Sequence, residues 1–179
     1  MLALAPEPLP PATEFQGAGI YAIYYAGDLE PYAEVSSPDC LVPIYVGKAV
    51  PRGARRGGND PTEAAGNVLF ARLVEHGQSI STVSNLDLND FHCRYLVVDD
   101  VWIPLAESLL IQRFRPVWNM VLDGFGNHDP GKGRYEGMRP RWDTVHPGRE
   151  WAAKCQAREE TPASLIDLVK NHIKNHGPT

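Results

Sequence analysis

Two short runs dominate the first third of the chain, GIYAIYY at 19–25 and LVPIYVG at 41–47. Both are rich in β-branched and aromatic residues, the types that suit a pleated, half-buried surface. The stretch between them, GDLEPYAEVSSPD, is full of turn formers. The simplest arrangement is two neighbouring antiparallel strands joined by a long loop, with Tyr21 and Tyr45 near their centres. Tyrosine in a strand is usually half-buried packing, but paired strands can also bring two hydroxyls to one face.

The following stretch predicts a helix. Asp60 stands as N-cap, Pro61 at the first helical position, Glu63 in a capping box and Gly77 as the stop, with Val68, Leu69 and Leu73 on the apolar face. FHCRYLVV at 91–98 reads as a third strand, and Pro104 to about Phe114 as a second helix halted by Pro116. Residues 124–151 are rich in Gly, Pro, Arg and aromatics without helical or strand period, and TPASLIDLVKNHIKNHG closes the chain as an amphipathic helix capped by Thr161. Residues 1–14, rich in Pro and Ala, read as a flexible N-terminal arm or an extended strap. The order predicts an α+β fold, a small central antiparallel or mixed β-sheet flanked by helices. At 179 residues the chain is expected to be one domain: a core over 15–122, with an extension over 123–179 packed on it.

Composition narrows the function. Hydrophobic residues make up 43% and charged residues 22%, close to the average for globular proteins, which suggests neither disorder nor a membrane protein. No apolar run is long enough to span a bilayer, and no basic segment precedes the short apolar N-terminus, so a cytoplasmic protein is expected. Cys40, Cys93 and Cys155 are few, odd in number and far apart, which indicates neither a disulfide framework nor a zinc cluster. The net charge of −5 weighs against nucleic acid, yet KAVPRGARR at 48–56 carries four positive charges and no acid, so one face can still be basic.

Several side chains bear chemistry. Arg72 and His76, four residues apart, share one helix face, where arginine can hold phosphate oxygens and histidine can orient a hydroxyl. Glu107 falls on the apolar side of its helix with Leu110, Ile111 and Phe114; a carboxylate there must be paired, protonated or bound to a cation. Asn119 follows that helix in PVWNM, where it could equally be a turn residue.

GIY at 19–21, YVG at 45–47 with Lys48 after it, Arg72, His76, Glu107 and Asn119 resemble the GIY-YIG nuclease domain in order and spacing. Val for Ile in YVG is a conservative departure. LAESLLIQRFRPVWNMVLDGFGNHDPGKGRY further resembles the type II restriction endonucleases of that superfamily that cut CCGCGG, whose core carries insertions and a DNA-contacting C-terminal segment.

That resemblance implies a double-stranded DNA substrate, a homodimer on a palindrome, an accompanying methyltransferase and Mg²⁺, with Mn²⁺ as a possible substitute. It implies Tyr45 as general base, Glu107 as metal ligand, Arg72 on the scissile phosphate, Tyr21 and His76 tuning the nucleophile, and Asn119 supporting the phosphate or metal side. A phenol is a poor base near neutrality, so Lys48, Arg72, His76 and the ion are expected to stabilise its phenolate, with activity rising toward alkaline pH. Lys132, Arg134, Arg139, Arg141 and Arg149, interleaved with aromatics, are the expected DNA-recognition set, because arginine reads guanine in the major groove. Arg52, Arg55 and Arg56 are expected on backbone phosphates. The N-terminal arm and last helix are candidate dimer elements. Two alternatives stand beside this reading: a structure-specific repair or recombination nuclease, and a binding module without catalysis.

Overall fold

The computed structural model describes residues 1–51 and 66–176. Four strands, β1 (Glu7–Pro8), β2 (Gly19–Tyr25), β3 (Pro43–Ala49) and β4 (Phe91–Val97), form one sheet in the order β1-β4-β2-β3, every pair antiparallel. Helices α1 (Val68–Thr82) and α2 (Ile103–Phe114) follow β3 and β4, and the short α3 (Val117–Met120), α4 (Arg141–Val145) and α5 (Glu150–Ala153) precede the long α6 (Pro162–His176).

β2 is central and wholly buried because both faces of the sheet are covered. Tyr21, Ile23 and Tyr25 face the main core with Leu69, Leu73 and Ile80 of α1 and with Trp118 and Phe125. Ile20 meets Ile103 and Leu110 of α2 on the other face, where Ala22, Tyr24 and Val46 also pack. Continuous burial of a strand between two layers explains why GIYAIYY lacks the polar alternation of a half-exposed strand.

Of the two readings of the N-terminal segment, the chain takes the extended strap: Glu7 pairs with Cys93, Pro8 with His92, and Leu9 is buried. Two expectations change. Gly77 does not stop α1, which runs on to Thr82. That glycine lets the strap cross closely, since a Cβ there would lie 2.9 Å from Pro10 Cδ. The proposed start at Asp60, Pro61 and Glu63 lies outside the described residues; α1 begins after Asn67. Within 124–151, expected to be irregular, the chain forms α4, α5 and a 3-10 turn at Lys132–Arg134. α6 buries Leu165, Val169 and Ile173 in the chain's own core, so its apolar face, like the strap, is already occupied. Cys40, Cys93 and Cys155 are free and buried.

Candidate active site

The site lies at β3, the edge of the sheet. Antiparallel register sets Tyr21 opposite Gly47 and Ile23 opposite Tyr45, so both tyrosines point to the α1 side. Their rings lie 6.2 Å apart. Gly47 permits this approach. A Cβ at that position would meet the Tyr21 hydroxyl at 2.4 Å and Tyr45 Cε1 at 3.0 Å, which is why the strand reads YVG rather than a run of larger residues.

From α1, His76 and Arg72 reach the same place. The Tyr21 hydroxyl lies 2.5 Å from His76 Nε2, and the His76 ring is 5.3 Å from that of Tyr45. Burial, then the charges of Arg72, His128 and Arg149, hold His76 well below the usual histidine range. The imidazole is therefore neutral at pH 7, and its Nε2 shares a hydrogen bond with the Tyr21 hydroxyl. Burial likewise pushes Tyr21 well above the ordinary phenol value. Tyr45 is also raised, first by burial; Arg72 opposes that, Glu107 adds to it, and Tyr21 opposes it. The expected lowering of Tyr45 by positive neighbours is thus outweighed by desolvation, and His76, being neutral, supplies no charge.

Strand alternation turns Lys48 to the opposite face, toward α2. Its Nζ lies 2.7 Å from Glu107 Oε2. The carboxylate on the apolar side of α2 is therefore paired with a lysine, and with its side chain 19% exposed it keeps an opening to solvent. Because β3 is an edge strand, Glu107 can act around that edge on Tyr45, as its effect on the Tyr45 hydroxyl indicates.

Asn119 holds the backbone of β3. Its Oδ1 accepts from Val46 N–H and its Nδ2 donates to Val46 C=O, both at 2.8 Å. The side chain mimics a neighbouring strand and pins β3 between Tyr45 and Gly47. With these two bonds Asn119 positions the tyrosine strand.

A loop that sequence reading placed in the DNA-contacting segment completes the site. Arg72 donates through Nη2 to Gly126 C=O at 2.6 Å and through Nη1 to Glu75 Oε2 at 2.9 Å, with His128 Nε2 2.6 Å from the same Nη1. Phe125 stacks on His76 at 4.5 Å and meets Tyr45 edge-on at 5.0 Å. Gly126 passes so close to the Tyr45 hydroxyl and Arg72 Nη2 that an added Cβ would lie 2.8 and 3.0 Å from them. The only sequence signal was the paired glycines of DGFGN, which mark a turn and do not name its target.

A family model described as the Eco29kI GIY-YIG domain matches residues 13–173. The chain belongs to that family. No curated protein matches the sequence. The Eco29kI-type GIY-YIG domain is a restriction-endonuclease nuclease domain, so the chain is a nuclease acting on DNA. Its four-stranded antiparallel sheet between helices is the expected α+β core. None of the described helices is long and apolar enough to cross a membrane.

Within this GIY-YIG domain the arginines divide by role. Arg149 is not a DNA contact: it is buried, binds Asp143 through Nε at 2.6 Å, and donates to the carbonyls of Gly124, Phe125 and Asn127. Its guanidinium is also sandwiched between Trp142 and Trp151. Arg139 donates to the carbonyls of Ala152 and Ala153 at the end of α5, and Arg141 pairs with Glu160, which Arg158 also holds. All three tie the 124–160 segment together. Lys132 and Arg134 stand exposed on their 3-10 turn. Arg52, Arg55 and Arg56 lie outside the described residues.

Proposed function

We propose that this GIY-YIG nuclease is a type II restriction endonuclease that hydrolyses both strands of DNA at a palindrome, CCGCGG, with Tyr45 as general base and Mg²⁺ as cofactor. The observation that carries this reading is the convergence of Tyr45, Arg72 and Glu107, from a strand and two helices, around the edge of β3. Pure DNA binding requires no such carboxylate at this edge.

The donor set fits a hard divalent ion. Among the described residues no cluster of three His, Cys, Asp or Glu side chains could hold a metal, so Glu107 would be the one ligand these residues supply. Such a site suits Mg²⁺, or Mn²⁺ in its place, with water and phosphate oxygens completing the shell. When bound, the ion neutralises charge on the phosphate and the departing oxygen. Lys48, paired with Glu107, keeps the carboxylate aimed.

The chain's own residues supply the rest. Arg72, fixed from one side by Gly126, Glu75 and His128, presents its guanidinium to the scissile phosphate. Tyr45 accepts the proton of the attacking water, and Tyr21, hydrogen-bonded to neutral His76, orients the neighbouring hydroxyl. Arg134 and Lys132 are the recognition residues of the described segment, beside an open cavity of about 480 Å³ lined by Gly126, His128, Arg134 and Trp151. Arg52, Arg55 and Arg56 add phosphate contacts, and a methyltransferase of matching specificity protects the host DNA.

The test is digestion of long unmethylated DNA with Mg²⁺ and with chelator, followed by sequencing of the ends. Discrete Mg²⁺-dependent fragments ending at CCGCGG are expected; random nicking, or cutting confined to branched DNA, would sink the reading.

A further inference from the structure

Helix α2 ends on a residue that does not favour the conformation it holds. Arg115 sits at φ 45° and ψ 54°, the left-handed region in which helices commonly stop on glycine or asparagine. Its backbone is fixed there from two sides. The Arg115 N–H donates to Ile111 C=O at 2.8 Å, and its carbonyl accepts from His172 Nε2 of α6 at 2.7 Å. Glycine would make both bonds without the steric cost of a Cβ, so the backbone gives no reason for an arginine at this point. A costly backbone conformation kept by a large polar residue directs attention to what its side chain does.

That side chain is exposed and forms no ion pair with another described residue. It lines an open cavity of about 580 Å³ together with Glu107, Ser108, Ile111, Gln112 and Met120. Glu107, Ile111 and Arg115 follow one another at intervals of four along one face of α2, with Ser108 and Gln112 beside them at the same interval. The cavity therefore runs from the carboxylate at the edge of β3 to a guanidinium roughly 12 Å further along the helix axis.

The lining has the chemistry of a seat for a DNA backbone. A guanidinium matches phosphate oxygens with paired N–H donors, Ser108 and Gln112 offer further donors to phosphate or sugar, and Ile111 and Met120 give apolar walls for deoxyribose. The one acid of the lining, Glu107, is already offset by Lys48. Arg139, Arg141 and Arg149 are consumed by contacts within the chain, whereas Arg115 is left facing a cavity. Successive phosphates of one strand advance about 3.4 Å along the duplex axis, so a separation of roughly 12 Å reaches past the scissile phosphate to one within about four nucleotides of it. We infer that Arg115 is a second phosphate-binding residue, which grips the DNA backbone on the α2 side of Glu107 while Arg72 holds the scissile phosphate from the α1 side.

This assignment gives the proposed function a path for the cut strand, across the edge of β3 and along α2. The place of the contact relative to the scissile bond rests on the reading of Glu107 as the metal ligand; the phosphate contact itself does not.

Arg115→Gly and Arg115→Asn test it, because both residues suit the left-handed backbone and leave the fold intact. Their melting midpoints are expected at or above that of the wild type. Fluorescence anisotropy on a labelled CCGCGG duplex in chelator should show affinity about tenfold weaker, the scale of one charge-assisted bond. The slope of log affinity against log salt should be shallower by about 0.9, the loss of one phosphate contact. Arg115→Lys should restore the slope. Single phosphates within about four nucleotides of the bond that the wild type cuts are then replaced by neutral methylphosphonate. At one position the replacement should weaken the wild type and leave Arg115→Gly unchanged. Variants that keep the wild-type slope, or that lose stability along with affinity, overturn the inference. A wild type that binds DNA but cuts none removes the metal role of Glu107, and the salt slope alone then decides the contact at Arg115.

Discussion

Arg149 Nε lies 2.6 Å from Asp143 Oδ1 inside the protein, and the same guanidinium holds three carbonyls of the loop that touches Tyr45, Arg72 and His76. An arginine remote from the chemistry thereby sets the shape of the loop that orients it. Arg149→Met leaves a buried Asp143 and three carbonyls without partners, which should cost roughly 3–5 kcal/mol. Urea unfolding measures it; a loss under 1 kcal/mol would show that the brace is not needed.

Gly47→Ala should disable the site without unfolding the protein. Its methyl group must displace the Tyr21 ring and crowd Tyr45, at a stability cost of roughly 1–3 kcal/mol for overpacking. Single-turnover cleavage should fall by about 100-fold or more, the scale of a general-base contribution. A variant that cleaves at the wild-type rate would separate the glycine from the tyrosine geometry.

Glu107→Ala should abolish Mg²⁺-dependent cutting and leave DNA binding by gel shift nearly intact. Pairing with Lys48 is partly exposed, so the change in stability is expected to stay near or below about 1 kcal/mol. Surviving cleavage would place the metal elsewhere.

Cleavage should rise steadily from pH 6 to pH 9. Tyr45 is held above the ordinary phenol range by burial, so the fraction able to act as base grows about tenfold per pH unit throughout that interval. His76, kept neutral far below 6.5, should add no inflection near the usual histidine value. A plateau beginning near pH 7 in single-turnover rates would rule out Tyr45 as the base.

Stability should fall in acid because of His146. Burial pushes this imidazole down to about 3, where Tyr32 and Asn85 engage its two nitrogens. The unfolded chain takes up a proton near 6.5 and the folded one only near 3, so between these values the unfolded state binds more protons. Stability is therefore full above about pH 6.5 and declines as pH drops, by up to roughly 1.4 kcal/mol per pH unit for this group. His76, lowered by the same cause, acts in the same direction. Urea midpoints at pH 7 and pH 4.5 should differ accordingly in the wild type, and less in His146→Gln.

Resemblance to the GIY-YIG domain implied the set Tyr21, Tyr45, Arg72, His76 and Glu107; local pattern alone placed strands at 19–25, 41–47 and 91–98 and helices beginning near Pro104 and Pro162. Each rests on short-range physics: β-branched and aromatic runs, capping residues, and side-chain spacing within one helix or strand. What only the tertiary structure decided depends on which backbone groups meet across long sequence separations. The strap crosses at Gly77 and carries α1 past that glycine, and Asn119 is taken up by Val46, 73 residues away. Arg149 and Arg134 look alike in sequence. One is buried with Asp143 beneath the catalytic loop and the other is left on the surface, because burial and partners belong to the folded chain and not to the residue type. The same holds for the titration of Tyr45: its neighbours were legible as charges, but the desolvation that outweighs them arises only when Phe125, His76 and Gly126 close around it.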